Sequence, residues 1–327
     1  MAARRSGGVQ RVLDKLEASV NAGNFYEAHQ MYRTLYFRYS NQEKYKELLE
    51  LLYSGAKLLL HNKQLTSGAD LCNLYVDVLQ KSSEPVTEEL VQKLSELYGL
   101  IGPNVPERDT FLANAMRWSA KGSPEYKTGH PLLHKAVAQV SWREKNYVVA
   151  RYHFLHSNDG SNFAMMLVEI HTRQGYPSEV DLFITQVVLQ YLCLQNKTTA
   201  FDAFHWYTLK HPNIKSGPPY LLPLLNFIWF LLKAIESGKL PVFTLLCKKY
   251  KPSIDRDPTY NSYLNKIAQI FFGLPPQRPR NQGLFGNLMQ LFNDAGHDSD
   301  SDNEDTSPRT SLPQSRSSQK METEDLD

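Results

Sequence analysis

Apolar residues recur at helical spacing along almost the whole chain, and polar residues fill the positions between them. In one such segment Ala28, Tyr32 and Leu35 share a face, whereas Arg33 and Arg38 lie off it. Alternating apolar and polar strand patterns joined by tight turns are absent from the sequence. The chain is therefore predicted to be all-α.

The same pattern predicts fourteen short helices with short connections. Six of them precede a loop with Gly and Pro at 121–131, and they cover 9–22, 25–39, 42–61, 65–81, 86–100 and 106–119. Eight follow the loop and cover 132–144, 146–156, 160–174, 178–195, 198–210, 220–237, 239–250 and 257–272.

Several of these helices begin alike, with a polar turn that contains Asn, then an apolar or aromatic residue, then a small residue. Asn24 leads to Ala28, and Asn146 leads to Ala150 in the same way; weaker echoes occur at Asn62 and Asn196. A small residue at this point lets two antiparallel helices approach closely, which tetratricopeptide-like hairpins require. We therefore predict a right-handed α-solenoid of degenerate tetratricopeptide-like hairpins, with a disordered acidic C-terminal tail.

The composition divides this chain into segments. The predicted order is a disordered N-terminus at 1–8, the solenoid at 9–273 with halves at 9–119 and 132–273, a proline-rich linker at 274–293, and the tail at 294–327. Within the linker, Leu284 to Phe292 is amphipathic. A docking helix for a partner and a last turn packed on the body are both compatible with that stretch.

The tail is acidic and the body is basic. Residues 294–327 hold ten acidic and three basic side chains, whereas the whole chain has 34 acidic and 36 basic ones. A tail of this composition cannot bury enough apolar surface to offset its ordering entropy, so it is predicted to be disordered. Ser299 and Ser301 suit an acidophilic kinase, and Ser307 before a proline suits a proline-directed one. A merely solubilising tail is the alternative.

Cysteine usage and the chain start favour the cytosol. The three cysteines are odd in number and far apart, which argues against a disulfide framework. The first residues carry no apolar stretch of the signal-peptide kind. The most apolar run, 220–232, is shorter than the roughly 20 residues of a membrane span. We expect a buried helix there and no stable membrane association.

Chemistry-bearing motifs are absent from the sequence, including the phosphate-binding, nucleophile-elbow and zinc-protease patterns. His130 with His134, and His153 with His156, have helix-face spacing, but a tetrahedral zinc site needs four ligands. We therefore expect no enzyme activity, no cofactor and no metal. The aromatic residues fall mainly on core faces, which disfavours nucleic-acid binding.

Four segments identify a family. AHQMYRTLYFRY (28–39), RYHFLHSNDG (151–160), LLNFIWFLL (224–232) and DPTYNSYLNKIAQIFFGLPP (257–276) resemble the Golgi-to-ER traffic protein 4 homologs of animals. The resemblance implies a cytosolic adaptor in the targeting of tail-anchored membrane proteins. Its implied partners are the targeting ATPase at the N-terminal half, and a proline-rich BAG-family scaffold with a small ubiquitin-like subunit, bound directly or through the scaffold, at the C-terminal half. The resemblance further implies that the same assembly sorts mislocalised hydrophobic proteins for degradation.

The resemblance also suggests two surfaces. For the ATPase, the candidates are the basic residues Arg33, Arg38, Lys44 and Lys46, which a solvated helix face explains equally well. For the scaffold, the candidates are Lys248, Lys249, Tyr250, Tyr260 and Tyr263, since aromatic and basic side chains are frequent interface anchors. Phe227, Trp229 and Phe230 are predicted to belong to the core.

Two other functions stay open at this point. One is an α-solenoid subunit of a different regulatory complex, and the other is a helical repeat protein that binds nucleic acid. Salt-sensitive binding to mixed oligonucleotides favours the second of these.

Overall fold

The computed structural model describes residues 2–121, 125–215 and 217–275, with side chains from residue 10. Residues 276–293 of the predicted linker, with its amphipathic stretch, and the acidic tail at 294–327 lie outside these residues. The helices are α1 Ala2–Asn21, α2 Phe25–Ser40, α3 Tyr45–His61, α4 Leu65–Ser82, α5 Glu88–Ile101, α6 Glu107–Ala120, α7 Pro131–Arg143, α8 Tyr147–Leu155, α9 Gly160–Gln174, α10 Val180–Cys193, α11 Lys197–Lys210, α12 Pro223–Ser237, α13 Leu240–Lys249, α14 Lys251–Ile254 and α15 Thr259–Phe272.

The prediction of an all-α fold is confirmed, since the described ranges contain helices and turns but no strand. Two details differ from the sequence prediction. Helix α1 begins at Ala2, although we expected disorder to residue 8. A short helix, α14, interrupts the segment that we expected to connect α13 and α15.

In the first half the helices pack in two layers. One layer runs α3, α5, α7, and the other runs α2, α4, α6. The apolar residues between the layers form one core that extends from Leu16 to Val140. Because Leu133, Val137 and Val140 of α7 belong to this core, it continues past residue 119, where we placed the end of the N-terminal half.

Helix α10 organises the second half. It packs on α8, α9, α11, α12 and α15. Nine of its fourteen residues are buried, because the helix is covered on nearly all sides. A helix in that position has to be apolar around most of its circumference.

Five helix connections have the same backbone conformation. A residue with positive φ, at Gly23, Glu43, Lys63, Lys145 or Gln195, is followed by a residue with φ near −90°. In each turn the two residues donate backbone hydrogen bonds to carbonyls three and five positions earlier, which is the Schellman arrangement. Asn follows the positive-φ residue in three of these turns, at Asn24, Asn146 and Asn196, whereas Lys44 and Gln64 take that place in the other two.

The turns also place a buried residue at a fixed distance. Ala28, Leu48, Gly68, Ala150 and Ala200 each lie four positions after the last turn residue and are all buried. After the turn at Lys63 and Gln64 the small residue is Gly68, and a Cβ added there would lie 2.6 Å from the Leu60 side chain. The small residue therefore permits the close contact of α3 and α4, as the sequence pattern indicated.

Candidate interaction surfaces

A polar ladder joins α2 to α4 and accounts for Arg33. The His29 Nε2 atom lies 2.8 Å from Asp70 Oδ2, and Arg33 Nη1 lies 3.4 Å from the same carboxylate. The pKa of Asp70 is lowered, first by its hydrogen bond with His29 and further by the Arg33 charge. Arg33 thus contributes to the packing of α2 on α4, although its side chain is still partly exposed.

Further along the same two helices, Tyr36 donates a hydrogen bond to Asp77, and Lys81 contacts both. A similar triad joins α3 to α5, where Tyr53 and Lys57 meet Glu96. Tyrosine, carboxylate and lysine therefore link successive helices within a layer on both sides of the stack.

The other three predicted ATPase-binding residues lie near the connection of α2 and α3. Arg38 is in the last turn of α2, Lys44 is the residue before α3, and Lys46 is in its first turn; all three are exposed. The Lys44 ammonium lies 5.9 Å from the centre of the Tyr39 ring. We call Arg38, Lys44 and Lys46 the basic N-terminal patch.

Two exposed aromatic residues on α2 did not enter the sequence prediction. Tyr26 is 77% exposed, and Phe37, next to Arg38, is 57% exposed. The signal was present, because both residues fall between the positions of the core-facing stripe. An exposed aromatic beside a cation is a common interface anchor.

The predicted scaffold-binding residues are two exposed lysines, two half-buried tyrosines and one buried tyrosine. Lys248 and Lys249 are exposed at the end of α13. Tyr250 is half-buried with its ring 5.8 Å from that of Phe227, and Tyr263 is half-buried and accepts a hydrogen bond from Gln190.

Tyr260 has to be removed from the predicted surface. Its side chain is only 1% exposed, and its hydroxyl donates to the carbonyl of Leu182 in α10. A side chain in this position holds α15 on α10 and does not serve as an exposed interface anchor.

The core prediction for α12 is confirmed for Phe227 and wrong for Phe230. Phe227 is fully buried, whereas Phe230 is 40% exposed and packs edge-to-face on Trp229. Val242 and Leu245 of α13 are also exposed. The C-terminal helices therefore present apolar side chains as well as the lysines.

The histidines pair between helices and not along them. His134 Nδ1 lies 2.8 Å from His153 Nδ1, and His156 stacks on His134. Because His134 Nε2 contacts the Thr128 carbonyl, which can only accept, His134 Nδ1 is the acceptor and His153 is the donor. Burial is the main cause that lowers the pKa of His134 to about 4 and that of His153 to about 3.

A second pair joins α9 to the residue after α11. His211 Nδ1 accepts from the backbone N–H of Asn213, so His211 Nε2 donates to His171 Nδ1 at 2.9 Å. His171 Nε2 in turn donates to the Tyr176 carbonyl at 2.9 Å. Both imidazoles are neutral in this arrangement, and burial lowers the pKa of His211 to about 4.

In the ranges that the structure describes, no three His, Cys, Asp or Glu side chains are arranged to hold a metal ion. Burial raises the pKa of Cys193 to about 11 and that of Cys247 to about 12, which disfavours their thiolates. Of the described helices, none has the length and apolar content to cross a bilayer.

Comparisons with known proteins agree with the family resemblance. The family model described as Golgi to ER traffic protein 4 matches residues 42–292. A Golgi to ER traffic protein 4 homolog of Xenopus tropicalis is 53% identical over 309 residues, which cover 94% of each chain. The homolog of Homo sapiens is 54% identical over 287 residues, covering 88% of this chain and 87% of the human one.

Among solved structures, a crystal structure of C. therm. Get4 superposes with a TM-score of 0.75 at 26% sequence identity. The match covers 91% of this chain and all of that one.

Proposed function

The chain belongs to the Golgi to ER traffic protein 4 family, and from this premise we propose that it is a cytosolic adaptor subunit in tail-anchored protein targeting. It links a chaperone complex, which keeps tail-anchored and mislocalised hydrophobic proteins soluble, to the targeting ATPase or to degradation. The observation that carries this proposal is the family match over most of the chain.

The proposal assigns a non-enzymatic role. An adaptor needs only to hold a client donor and a client acceptor together, which raises their effective concentration. Buried histidines that serve structure, and thiols whose pKa is raised, are consistent with this role.

We assign the targeting ATPase to the basic N-terminal patch together with Phe37. Exposed cations speed the encounter with an acidic partner, and an aromatic side chain beside them supplies buried apolar area. Arg33 is left out of this surface, because it already pairs with Asp70.

The BAG-family scaffold is assigned to the α12–α13 end of the chain. Lys248, Lys249, Val242, Leu245 and Phe230 are exposed there. The ubiquitin-like subunit joins at this end, through the scaffold or directly.

The test uses two charge-reversal variants as controls for each other. Arg38→Glu/Lys44→Glu/Lys46→Glu alters the basic N-terminal patch, and Lys248→Glu/Lys249→Glu alters α13. Binding to the purified ATPase and to the purified scaffold is measured by titration calorimetry. The first variant is expected to lose at least tenfold in affinity for the ATPase only, and the second at least tenfold in affinity for the scaffold only. Equal losses for both partners, or none, contradict the two-ended assignment.

A further inference from the structure

A small cavity lies between α8, α10 and the segment before α15. Its volume is about 150 Å³. The residues that line it are Arg151, Glu179, Leu182, Phe183, Gln186, Asp257 and Tyr260. We call it the Arg151 cavity. Pockets for cofactors are typically larger, roughly 300–1,000 Å³, so this cavity suits a single side chain.

Arg151 lines this cavity and is held there by two glutamine side chains. Its Nη2 atom donates to Gln186 Oε1 at 2.7 Å and to Gln190 Oε1 at 3.4 Å. Of the residues that the structure describes, none brings a carboxylate within ion-pair distance of this guanidinium. Burial lowers the pKa of Arg151, which reflects the missing counter-charge.

The bonds to the two glutamines fix the direction of the guanidinium. Both use Nη2, so Nη1 and Nε keep their hydrogen atoms for a further acceptor. Gln190 is itself held, because its Nε2 donates to the Tyr263 hydroxyl at 3.2 Å. The guanidinium is therefore oriented before any ligand binds, which reduces the entropy cost of forming one further charge-assisted hydrogen bond from Nη1.

The other residues that line the Arg151 cavity determine which groups of a ligand fit beside its acidic group. Leu182 and Phe183 supply apolar surface. Glu179 accepts from the backbone N–H of Tyr176, and Asp257 accepts from the backbone and hydroxyl of Thr259. These two carboxylates cap local turns and do not pair with a cation among the described residues, so they favour a positive charge beside the ligand's acidic group.

We propose that the Arg151 cavity is a binding site for a carboxylate side chain of a partner protein, presented by a segment with a basic residue next to the acidic one. The carboxylate accepts a charge-assisted hydrogen bond from Nη1 of Arg151, and its methylene groups pack on Leu182 and Phe183. The neighbouring cation lies near Glu179 and Asp257. This site is separate from the α13 lysines, and it does not depend on which partner the C-terminal half binds.

The probe is the capped tripeptide acetyl-Lys-Glu-Lys-amide, and its matched control is acetyl-Lys-Gln-Lys-amide. Binding to the full chain is followed by NMR of the arginine Nε–H groups. The glutamate peptide is expected to bind at least tenfold more tightly and to shift one arginine signal, which is missing in the Arg151→Gln variant. The glutamine peptide, which differs only in charge, leaves that signal in place.

Two further variants separate binding from folding. Arg151→Lys keeps the charge but loses the guanidinium N–H that the two glutamines orient toward the ligand, so it is expected to bind at least threefold more weakly while melting at nearly the same temperature. Arg173→Gln removes an exposed arginine elsewhere and is expected to bind as the unchanged chain does. If the glutamate and glutamine peptides bind equally, or if the shifted signal persists in Arg151→Gln, the proposal is wrong.

Discussion

His134 and His153 share one hydrogen bond across the α7–α8 hairpin, with their Nδ1 atoms 2.8 Å apart. A bond between two imidazoles exists only while at least one acceptor nitrogen is unprotonated. His156 stacks on His134 in the same cluster. The hairpin is therefore held by a contact that acid removes.

Acid is expected to destabilise the fold through this pair. The pKa values of about 4 for His134 and about 3 for His153 lie below the value of about 6.5 for an unfolded histidine. Between these values the unfolded chain binds more protons, so the free energy of unfolding falls as the pH drops below 6.5, and the loss ends below pH 3. The free energy of unfolding in urea is expected to be lower at pH 4.5 than at pH 7.5, and each of these two histidines is expected to contribute about 2 kcal/mol to the difference.

The variant His153→Gln isolates this contribution. A glutamine amide donates to His134 without titrating, so the difference between pH 7.5 and 4.5 is expected to shrink. Replacement of the exposed His61 by Gln serves as the control and leaves the difference unchanged. If the unchanged chain and the two variants lose the same stability between pH 7.5 and 4.5, the loss comes from other groups.

The repeated turns contain avoidable strain. Glu43, Lys63 and Gln195 have positive φ values of 55°, 60° and 62°, which cost an L-residue about 1 kcal/mol. We expect Lys63→Gly and Gln195→Gly each to raise the free energy of unfolding by about 0.5 kcal/mol, after the greater freedom of glycine in the unfolded chain is counted. Calorimetric melting measures the gain.

The matched control is Lys63→Ala, which removes the same side chain but keeps the strain. It is expected to melt as the unchanged chain does. Because the turns are far apart, the two glycine substitutions are expected to add. A destabilised Lys63→Gly variant contradicts this account of the turn.

Asparagine residues that precede two of these helices differ in what their side chains do. Asn146 Oδ1 accepts from the backbone N–H of Val149 at 3.3 Å, whereas the Asn24 side chain makes no such bond. Asn146→Ala is expected to cost about 1 kcal/mol, and Asn24→Ala clearly less. Paired urea titrations compare the two, and equal losses rule out capping as the cause.

The sequence pattern predicted the helices and the shared turns because both depend on nearby residues. Spacing within α2 predicts its buried face, and a positive-φ turn requires only the few residues around it. The burial of Tyr260 was missed because it depends on α10, about 80 positions earlier, and the pattern within α15 does not report that contact. Phe230 was missed for the opposite reason, since the described residues leave its side of α12 partly uncovered.

The same distinction separates the two surfaces. The exposure of Arg38, Lys44 and Lys46 follows from their positions off the apolar stripe. The pairing of Arg33 with Asp70 needed the register of α2 against α4, which sequence spacing does not give.

Two glycines within helices differ in how closely a neighbouring helix approaches them. A Cβ at Gly55 of α3 would lie 2.5 Å from the Tyr32 ring, whereas one at Gly99 of α5 would lie 3.6 Å from Val140. Gly55→Ala is therefore expected to cost about 1–3 kcal/mol. Gly99→Ala is expected to stabilise by about 0.5–1 kcal/mol, since alanine favours the helix and meets an ordinary contact.

A smaller partner is expected to rescue the first variant. Tyr32→Leu in the Gly55→Ala background removes the ring atoms that the new methyl group meets, so the double variant costs less than the sum of the two single ones. Urea unfolding of the four proteins gives the coupling energy. Simple additivity contradicts the clash.

Arg108 of α6 joins α5 to the C-terminal end of α7. Its guanidinium lies 3.7 Å from the centre of the Tyr98 ring, donates to the Tyr98 carbonyl, and meets Glu144 at 2.6 Å. The arginine is only 4% exposed. Arg108→Met is expected to cost about 3–5 kcal/mol, because the half-buried Glu144 carboxylate loses its partner and the packing of Arg108 on Tyr98 is lost.

Neutralising that carboxylate separates the lost pairing from the lost packing. The double variant Arg108→Met/Glu144→Gln is expected to recover part of the loss, since the amide is cheaper to bury than an unpaired carboxylate. Glu144→Gln alone leaves the arginine with its Tyr98 contacts and is expected to cost less than Arg108→Met. If the double variant is no more stable than Arg108→Met, the contribution of Arg108 lies in its packing on Tyr98 and not in its charge.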